Sequence, residues 1–364
     1  MNGDNLSPLL WVLFILVLFL LNFTDIPQRM QLMRWSRFIR SKLAYIETLV
    51  TSSRNKTIQF ISRVLKVSKA EEIVNNFIDN FFVIEPVDIE PTDIIRRLEH
   101  LLNVRDTKIK AYAEKFLPSV PKELRYNAIV ALEITSVLNS VYKSLRHYFL
   151  LGIKHNNWAL VMQLALIIPQ LVKELEGYHR AIDSFTAGKP VGDSAGPLVA
   201  FNFIGLSERR PIAEDTVYSV VDFEGRKLYV IKAEGPGAAV GKPGEAVARI
   251  VEELKGRVAR IITVDAALKL EGEESGGIAE GIGAAIGDPG PEKIKIERIA
   301  SKYNIPVDAV IVKMSSEEAI NEMTSKIYEG VKKAVEKVKQ IILEKTRAGD
   351  IVVIAGIGNT VGVY

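Results

Sequence analysis

The chain has 364 residues, which is enough for two domains that each bury a core. It contains no cysteine, which excludes disulfides, zinc fingers, iron–sulfur clusters and thiol nucleophiles. The net charge of +3 is unevenly divided: residues 186–364 carry 24 Lys and Arg against 26 Asp and Glu, so the basic excess lies in the first half. Neither half has the strong basic bias of nucleic-acid-binding proteins, and we predict no nucleic-acid partner.

An apolar run close to the N-terminus predicts a transmembrane helix. Residues 6–23 are interrupted only by Ser7, Pro8 and Asn22. In a helix they reach about 27 Å, close to the roughly 30 Å of a hydrocarbon core. The run lacks the basic start and small-residue cleavage site of a signal peptide, and the polar stripe of a buried helix. We therefore predict an anchor over residues 1–27 that binds the lipid bilayer through residues 6–23.

The charges beside this run predict its orientation. Only Asp4 precedes it, whereas the segment after it is rich in cations: Arg29, Arg34, Arg37, Arg40 and Lys42. Positive flanks stay in the cytoplasm, which predicts a single pass through the cell membrane with the N-terminus outside and the bulk cytoplasmic. The basic, aromatic stretch 28–46 either lies along the inner leaflet or is the first helix of the next domain.

Apolar residues recur at spacings of three and four through residues 28–185, which predicts an all-α domain. Its prolines divide it into about five to seven helices. The apolar run 158–168 ends at Pro169 and is too short for a span, so we predict a buried core helix there. The histidines lie singly, without metal-ligand spacing, at His100, His147, His155 and His179. A helical domain of this kind is typical of an adaptor that binds a protein partner.

Strand-like runs alternate with helical runs after residue 186, which predicts an α/β domain over residues 186–364 with a mostly parallel sheet covered by helices. Strands are predicted at 217–223, 227–233, 258–264, 307–312 and 351–355, the first two as a hairpin. A helix is predicted at 245–254. A capping box, Ser315 to Glu318, predicts the start of a long helix that ends near Lys345. Such sheets bind ligands at the carboxyl ends of their strands, here Asp265, Lys313 and residues 356–359.

Several chemistries can be excluded in this half. No histidine or cysteine follows His179, which excludes a Ser-His-Asp triad and a histidine or cysteine zinc site built from this half alone. The glycine-rich loop before Lys242 departs from the phosphate-loop pattern, because only three residues separate Gly237 from Gly241 and Pro243 replaces the hydroxyl residue. The loop is then either an ordinary turn or an anion site at the next helix N-terminus.

Two carboxylates remain as candidates. Asp193 precedes the apolar stretch 198–204, and Asp265 closes a predicted buried strand. A poorly solvated carboxylate tends to have a raised pKa, and a pair of them can share a proton or bind a hard cation. Alternatively, Asp193 is a helix cap and Asp265 is a cap or turn residue.

Two resemblances bear on these residues. The whole chain, from the anchor to the Gly-Ile-Gly-Asn-Thr ending at 356–360, resembles an archaeal membrane-anchored family known as domain of unknown function number 1512. The α/β half resembles the fold shared by spore germination protease and the hydrogenase maturation peptidases. Residues 354–359 are similar to its Gly-hydrophobic-Gly-Asn turn, and 193–197 to its acidic loop, in the order that a circular permutation would produce. Residues 264–266 and 281–290 are similar to its Asp-Ala strand end and its glycine-rich segment.

The second resemblance implies a peptidase in which Asp193 and Asp265 are the catalytic pair. It also implies ligand contacts by the flanking motif residues Gly192, Ser194, Gly281, Gly283, Asp288, Gly356, Gly358 and Asn359. The nickel-binding histidine of the hydrogenase peptidases has no counterpart, so we predict no metal, and the sequence identifies no cofactor. The sequence thus favours a membrane-anchored, aspartate-dependent, peptidase-like hydrolase. The alternative is a non-enzymatic, membrane-tethered scaffold or ligand-binding protein with the same fold.

Overall fold

The computed structural model describes residues 10–16, 19, 26–81, 93–287 and 290–364. The chain divides into two compact units, which we call unit 1 (residues 1–53 and 137–176) and unit 2 (residues 54–136 and 177–364). Three long helices pass through both units: α1 (Ile26–Gln59), α4 (Lys122–Lys154) and α5 (Trp158–Thr186). The boundaries between the units fall inside these helices and so do not correspond to the predicted domain boundaries. The three domains 1–27, 28–185 and 186–364 therefore remain a prediction.

Unit 1 is built from most of α1 (residues 26–53), the second half of α4 (residues 137–154) and the first two thirds of α5 (residues 158–176). Its core residues recur with helical spacing, as the apolar pattern predicts: Ile39, Leu43, Ile46, Leu145, Val161 and Leu164. Tyr45 Oη on α1 donates a hydrogen bond of 2.8 Å to Glu176 Oε1 on α5.

The predicted N-terminal span lies largely outside the described residues. Its described part, residues 10–16, is helical, and its large apolar side chains are exposed. Among the described residues, one helix is long and apolar enough to cross a membrane, and it is α5, not a helix near the N-terminus.

The prediction that residues 158–168 form a short core helix needs correction. Helix α5 continues through Pro169, which is exposed, so the carbonyl freed by the missing N–H can be solvated. Only 28% of its most apolar window is buried, and Leu166 is 71% exposed. Residues 158–168 therefore contribute only one face of the helix to the core.

The helical part of unit 2 precedes its sheet. A π-helical turn at Phe60–Val64 follows α1, and two further helices, α2 (Ala70–Asn80) and α3 (Ile94–Phe116), pack with the start of α4. Phe77 is 1% exposed and packs edge-on against Tyr112. A 3-10 turn at Gly192–Ser194 and helix α6 (Ala195–Ile204) then lead into the sheet.

The sheet has seven strands in the order β1-β2-β3-β7-β4-β6-β5. Their bounds are β1 Arg210–Ala213, β2 Thr216–Phe223, β3 Arg226–Ala233, β4 Arg260–Leu268, β5 Ile278–Ile282, β6 Val307–Met314 and β7 Ile351–Gly356. The central pairs β3–β7, β7–β4 and β4–β6 are parallel, and the other three pairs are antiparallel. The prediction of a mostly parallel sheet is therefore wrong: the sheet is mixed, because a tight hairpin joins β2 to β3 and β5 runs back along β6.

Helices cover both faces of the sheet. On one face, α6 and α10 (Ser325–Lys345) enclose a core with Val230, Val264 and Ile354. On the other face, α7 (Pro243–Glu253) and α8 (Pro291–Tyr303) pack on Ile231, Ile261 and Val353. Successive residues of a central strand point to opposite faces of the sheet and so pack into two separate cores. This explains why the central strands carry apolar residues on both faces.

The long C-terminal helix begins later than predicted. The Ser315–Glu318 capping box is present, but it opens only the short helix α9 (Ser316–Ile320). Helix α10 starts after Thr324, whose hydroxyl accepts the Ile327 N–H. Residues 321–323 instead pair with 190–192 through backbone hydrogen bonds, which interrupts the helix.

Candidate functional site

The site lies where β7 ends beside β4. Pairing between the two strands stops at Val264 opposite Gly356, whereas the pairing of β4 with β6 continues to Leu268. The Ile357 N–H still donates to the Val264 carbonyl at 2.8 Å, and the chain then turns away. We predicted that Asp265 ends its strand, but β4 continues to Leu268. Asp265 is instead the first residue of β4 that no longer has a partner on β7. A carboxyl end of a central strand is where sheets of this type leave room for ligands.

Two glycines allow the loop before α6 to reach this turn. A Cβ atom on Gly196 would lie 2.2 Å from the Ile357 carbonyl oxygen, and one on Gly356 would lie 2.3 Å from the Gly196 carbonyl oxygen. Real Cβ atoms do not approach oxygen so closely, so both positions need glycine. The first turn of α6 therefore packs directly on the backbone at the end of β7.

Asp193 is held at this point by the turn. The Asn359 N–H donates a hydrogen bond of 2.8 Å to Asp193 Oδ2. Gly358, with φ 129°, passes so close to the Asp193 backbone that a Cβ atom there would lie 2.0 Å from its carbonyl oxygen. Burial raises the pKa of the Asp193 carboxyl above its ordinary value, and the hydrogen bond from Asn359 opposes part of that rise.

Asp265 is 4% exposed and bound by two backbone donors. The Ala266 N–H donates to its Oδ1 at 2.7 Å, and the Gly287 N–H donates to its Oδ2 at 2.8 Å. The pKa of Asp265 is raised well above its ordinary value, first by burial and then by the negative charge of Asp193, while the two hydrogen bonds act in the opposite direction. Burial and the neighbouring charge thus favour the neutral acid, whereas the two backbone donors favour the carboxylate.

The two aspartates line one cavity of about 440 Å³. The negative charge of Asp193 raises the pKa of Asp265, so a protonated Asp265 beside an ionised Asp193 is favoured over two ionised groups. A carboxylic acid beside a carboxylate can donate one proton and accept another, which is the requirement of general acid–base catalysis. The rest of the wall is mainly small and apolar: Ala266, Ala267, Ala284, Ala285, Ile286 and Met314.

The other predicted contact residues are distributed differently. Gly192 packs against the Glu318 carbonyl, and the hydroxyl of Ser194 accepts the Val191 N–H, so both support the loop itself. Gly356, Gly358 and Asn359 form the turn that holds Asp193.

The predicted glycine-rich segment is only partly brought to the cavity. Gly281 and Gly283 lie on and just after the edge strand β5 and do not line the cavity, whose wall begins at Ala284. Asp288 lies outside the described residues. No group of three or more His, Asp or Glu side chains gathers as a metal site in the part of the chain that the structure describes.

Two cavity residues were missed by the sequence analysis. The Gly287 N–H binds Asp265, and Lys293 in the first turn of α8 lines the cavity. No ion pair of Lys293 occurs among the described residues. Nothing in the sequence distinguishes this lysine from the others. The similarity of residues 281–290 to a glycine-rich segment did point to the region of Gly287.

The alternative anion site at the N-terminus of α7 is occupied by the protein itself. Glu292 Oε2 accepts the Glu245 N–H at 3.0 Å, so an internal carboxylate takes the position that a bound anion would use. This contact favours the ordinary-turn interpretation of the glycine-rich loop.

A second cavity, of about 330 Å³, lies in unit 2 between α3, α4 and the loop 238–242. Asp215 forms the centre of its polar wall, bound by Lys110 at 2.6 Å, Lys122 at 2.9 Å and the hydroxyl of Tyr126 at 2.9 Å. These partners outweigh the effect of burial, so the pKa of Asp215 is lowered. The charges on this side of the cavity are thus compensated within the protein.

Comparison with family models assigns both halves of the chain. A model described as "Protein of unknown function (DUF1512) N-terminal domain" matches residues 12–188, and one described as "Domain of unknown function (DUF1512) C-terminal" matches residues 191–364. No curated protein sequence matches the chain. Neither description names an activity. The two matches together cover nearly all of the sequence, and the chain belongs to the DUF1512 family.

Proposed function

We propose that the protein is an aspartate-dependent hydrolase of the peptidase type that acts at a membrane. The observation that carries this proposal is the convergence of Asp193 and Asp265 on one cavity, where the charge of Asp193 raises the pKa of Asp265. A structural carboxylate normally gains an ion pair or lies in water, whereas Asp265 is buried beside a second acid. Perturbed acids that share a cleft are typical of catalytic sites.

The environments assign a role to each aspartate. Burial and the negative charge of Asp193 both raise the pKa of Asp265, so Asp265 keeps the proton and donates it to the carbonyl oxygen of a bound amide. Asp193 is ionised and takes a proton from water, and the water oxygen then attacks the carbonyl carbon. As the resulting diol collapses, one of its hydroxyl groups returns a proton to Asp265, the C–N bond breaks, and the amine leaves with the proton held by Asp193. These transfers restore the acid–base pair. The small apolar wall favours substrates with small apolar side chains beside the cleaved bond.

The test uses the full chain in nanodiscs and a mixture of unstructured synthetic peptides, with products identified by mass spectrometry. Asp193→Asn and Asp265→Asn are each expected to lower cleavage about 100-fold or more, because each removes a proton-transfer group. Asp222→Asn, an exposed change on β2, is the matched control. Wild-type protein that cleaves no peptide would contradict the proposal, as would full activity in either site variant.

One observation favours the alternative, a non-enzymatic membrane-tethered scaffold or ligand-binding protein. Both carboxylate oxygens of Asp265 accept backbone N–H groups, which is also the arrangement of a structural carboxyl group. In that case the site variants lose stability and the wild-type protein cleaves nothing. The helical domain then supplies the surface for a protein partner.

The membrane location is proposed from the sequence. The apolar run 6–23 would form the anchor, with the N-terminus outside and the bulk of the chain in the cytoplasm, as the cations from Arg29 to Lys42 favour. Because the chain has no cysteine, Asn5→Cys and Leu206→Cys provide single labelling sites. An impermeant maleimide added to intact cells should label residue 5 and not residue 206. The reverse pattern would overturn this orientation.

A further inference from the structure

One end of unit 1 exposes apolar side chains among cations. Met33 is 62% exposed, Leu150 is 53% exposed and Trp158 is 38% exposed. We define the helix-end patch as these residues and their exposed neighbours at the start of α1, the end of α4 and the start of α5: Met30, Met33, Arg34, Arg37, Arg146, Leu150, Leu151, Lys154 and Trp158. Exposed apolar side chains that lie together and are rimmed by charged residues mark an interaction surface.

Contacts within unit 1 place these three segments at the same end. The rings of Trp35 and Trp158 stack with centroids 6.5 Å apart, which sets the start of α5 beside the first turns of α1. The Arg40 guanidinium lies over the Phe149 ring at 5.9 Å, which brings the end of α4 to the same level. The turn between α4 and α5 and the N-terminal end of α1 therefore form one surface. The segment that enters α1 follows the apolar run 6–23.

Charge is segregated along these helices. The described part of unit 1 carries nine lysines and arginines against three glutamates, a net of +6. Glu47 lies twelve residues beyond Trp35 on α1, or about 18 Å along the helix, and Glu174 lies about 24 Å beyond Trp158 on α5. Glu176 lies farther still. The helix-end patch is therefore cationic and contains no acidic residue.

We propose that the helix-end patch docks on the surface of an anionic phospholipid bilayer. Arginine and lysine bind phosphate groups, leucine and methionine enter the boundary of the acyl chains, and tryptophan prefers the headgroup level. The charge of the patch is complementary to such a surface. In this arrangement α5 starts at the membrane surface and leads away from it, so it does not cross the bilayer. The proposal holds whether or not the protein is a hydrolase.

The absence of native cysteine allows a direct test in the full chain. Spin labels are placed at Leu150→Cys in the patch and at Leu166→Cys on α5, and both leucines are exposed, so neither label enters the core. Power-saturation spectra in nanodiscs compare the accessibility of each label to oxygen and to a water-soluble nickel chelate. With phosphatidylglycerol present, the oxygen-to-nickel ratio at residue 150 should exceed that at residue 166 by about twofold or more.

The charge dependence is tested with a matched pair of variants in the labelled Leu150→Cys background. Arg34→Gln/Arg37→Gln/Lys154→Gln should lower the ratio at residue 150, while Lys42→Gln/Lys143→Gln/Lys173→Gln, with the same change in net charge, should leave it unchanged.

Three results would overturn the proposal. Equal exposure of both labels to water excludes docking. A deeper position for residue 166 than for residue 150 means that α5 crosses the bilayer. An equal decrease of the ratio at residue 150 in both triple variants means that the membrane attracts the net charge of the protein and not the helix-end patch.

Discussion

The backbone N–H of Asn359 binds the carboxylate of Asp193 at 2.8 Å, although the two residues lie 166 positions apart. This hydrogen bond joins the turn after the last strand to the loop before α6. It holds Asp193 over the end of β7, beyond which the neighbouring strand β4 continues and presents Asp265. The candidate site thus depends on contacts between the two ends of the α/β region.

The pKa of Asp265 should fall when Asp193 loses its charge. Asp193→Asn removes the second cause of the elevation and leaves burial in place, so the pKa of Asp265 is expected to move partway toward its ordinary value. The measurement is the pH dependence of the ¹³C chemical shift of the Asp265 carboxyl carbon. The signal is assigned by its absence from the spectrum of Asp265→Asn. Asp222→Asn should have no effect on it. An unchanged titration in Asp193→Asn would mean that the two charges do not interact.

Gly196→Ala should destabilise the protein by about 2 kcal/mol or more, because the added methyl group would meet the carbonyl oxygens of Ile357 and Val264. Gly281→Ala is the matched control, since its Cβ would meet only the Ala309 methyl group at 4.0 Å. Urea unfolding followed by circular dichroism measures both. Equal stability of the two variants would show that α6 does not pack tightly on the end of β7.

Lys232→Met should stabilise the protein at neutral pH. Lys232 is 1% exposed, and burial, helped by Arg209, lowers its pKa to about 8 despite the opposing charge of Glu234. The folded state therefore releases this proton more readily than the unfolded state, whose pKa is near 10.5. The unfolded state binds more protons between these values, so stability rises with pH across that window.

The gain from Lys232→Met should thus reach up to about 3 kcal/mol at pH 7 and shrink toward pH 10. Urea unfolding at the two pH values measures it. Lys227→Met, an exposed change on the same strand, should remain within about 0.5 kcal/mol of the wild type. A loss of stability in Lys232→Met at pH 7 would mean that the ammonium group makes a net favourable interaction.

Asp215→Asn should cost about 2 kcal/mol at neutral pH, because Lys110, Lys122 and Tyr126 lose a charged partner. The folded pKa of Asp215 lies below the unfolded value of 3.8, so its contribution is present above pH 3.8 and is lost as the pH falls through the folded pKa. Unfolding free energies of the wild type and the variant should therefore converge in acid. A constant difference across that range would contradict the lowered pKa.

The local pattern of apolar residues was sufficient to predict the positions of the central strands. The hairpin and the strands at 258–264, 307–312 and 351–355 are confirmed as β2, β3, β4, β6 and β7, with end shifts of a few residues, because each is a run of β-branched and apolar residues. Strand β5 was missed, since Ile278–Ile282 is largely exposed and contains Gly281. Its extended form comes from pairing with β6, which no local signal encodes.

The sequence by itself identified part of the candidate site. It singled out the two aspartates, the Gly-hydrophobic-Gly-Asn turn and the change from helical to strand periodicity, because residue type and spacing are local properties. Only the tertiary structure decided that Asp193 and Asp265 share a cavity. That outcome depends on β7 lying between β3 and β4 and ending before β4 does. Strand order and register arise from packing between distant segments, so the sequence alone did not place Gly287 and Lys293 beside the pair.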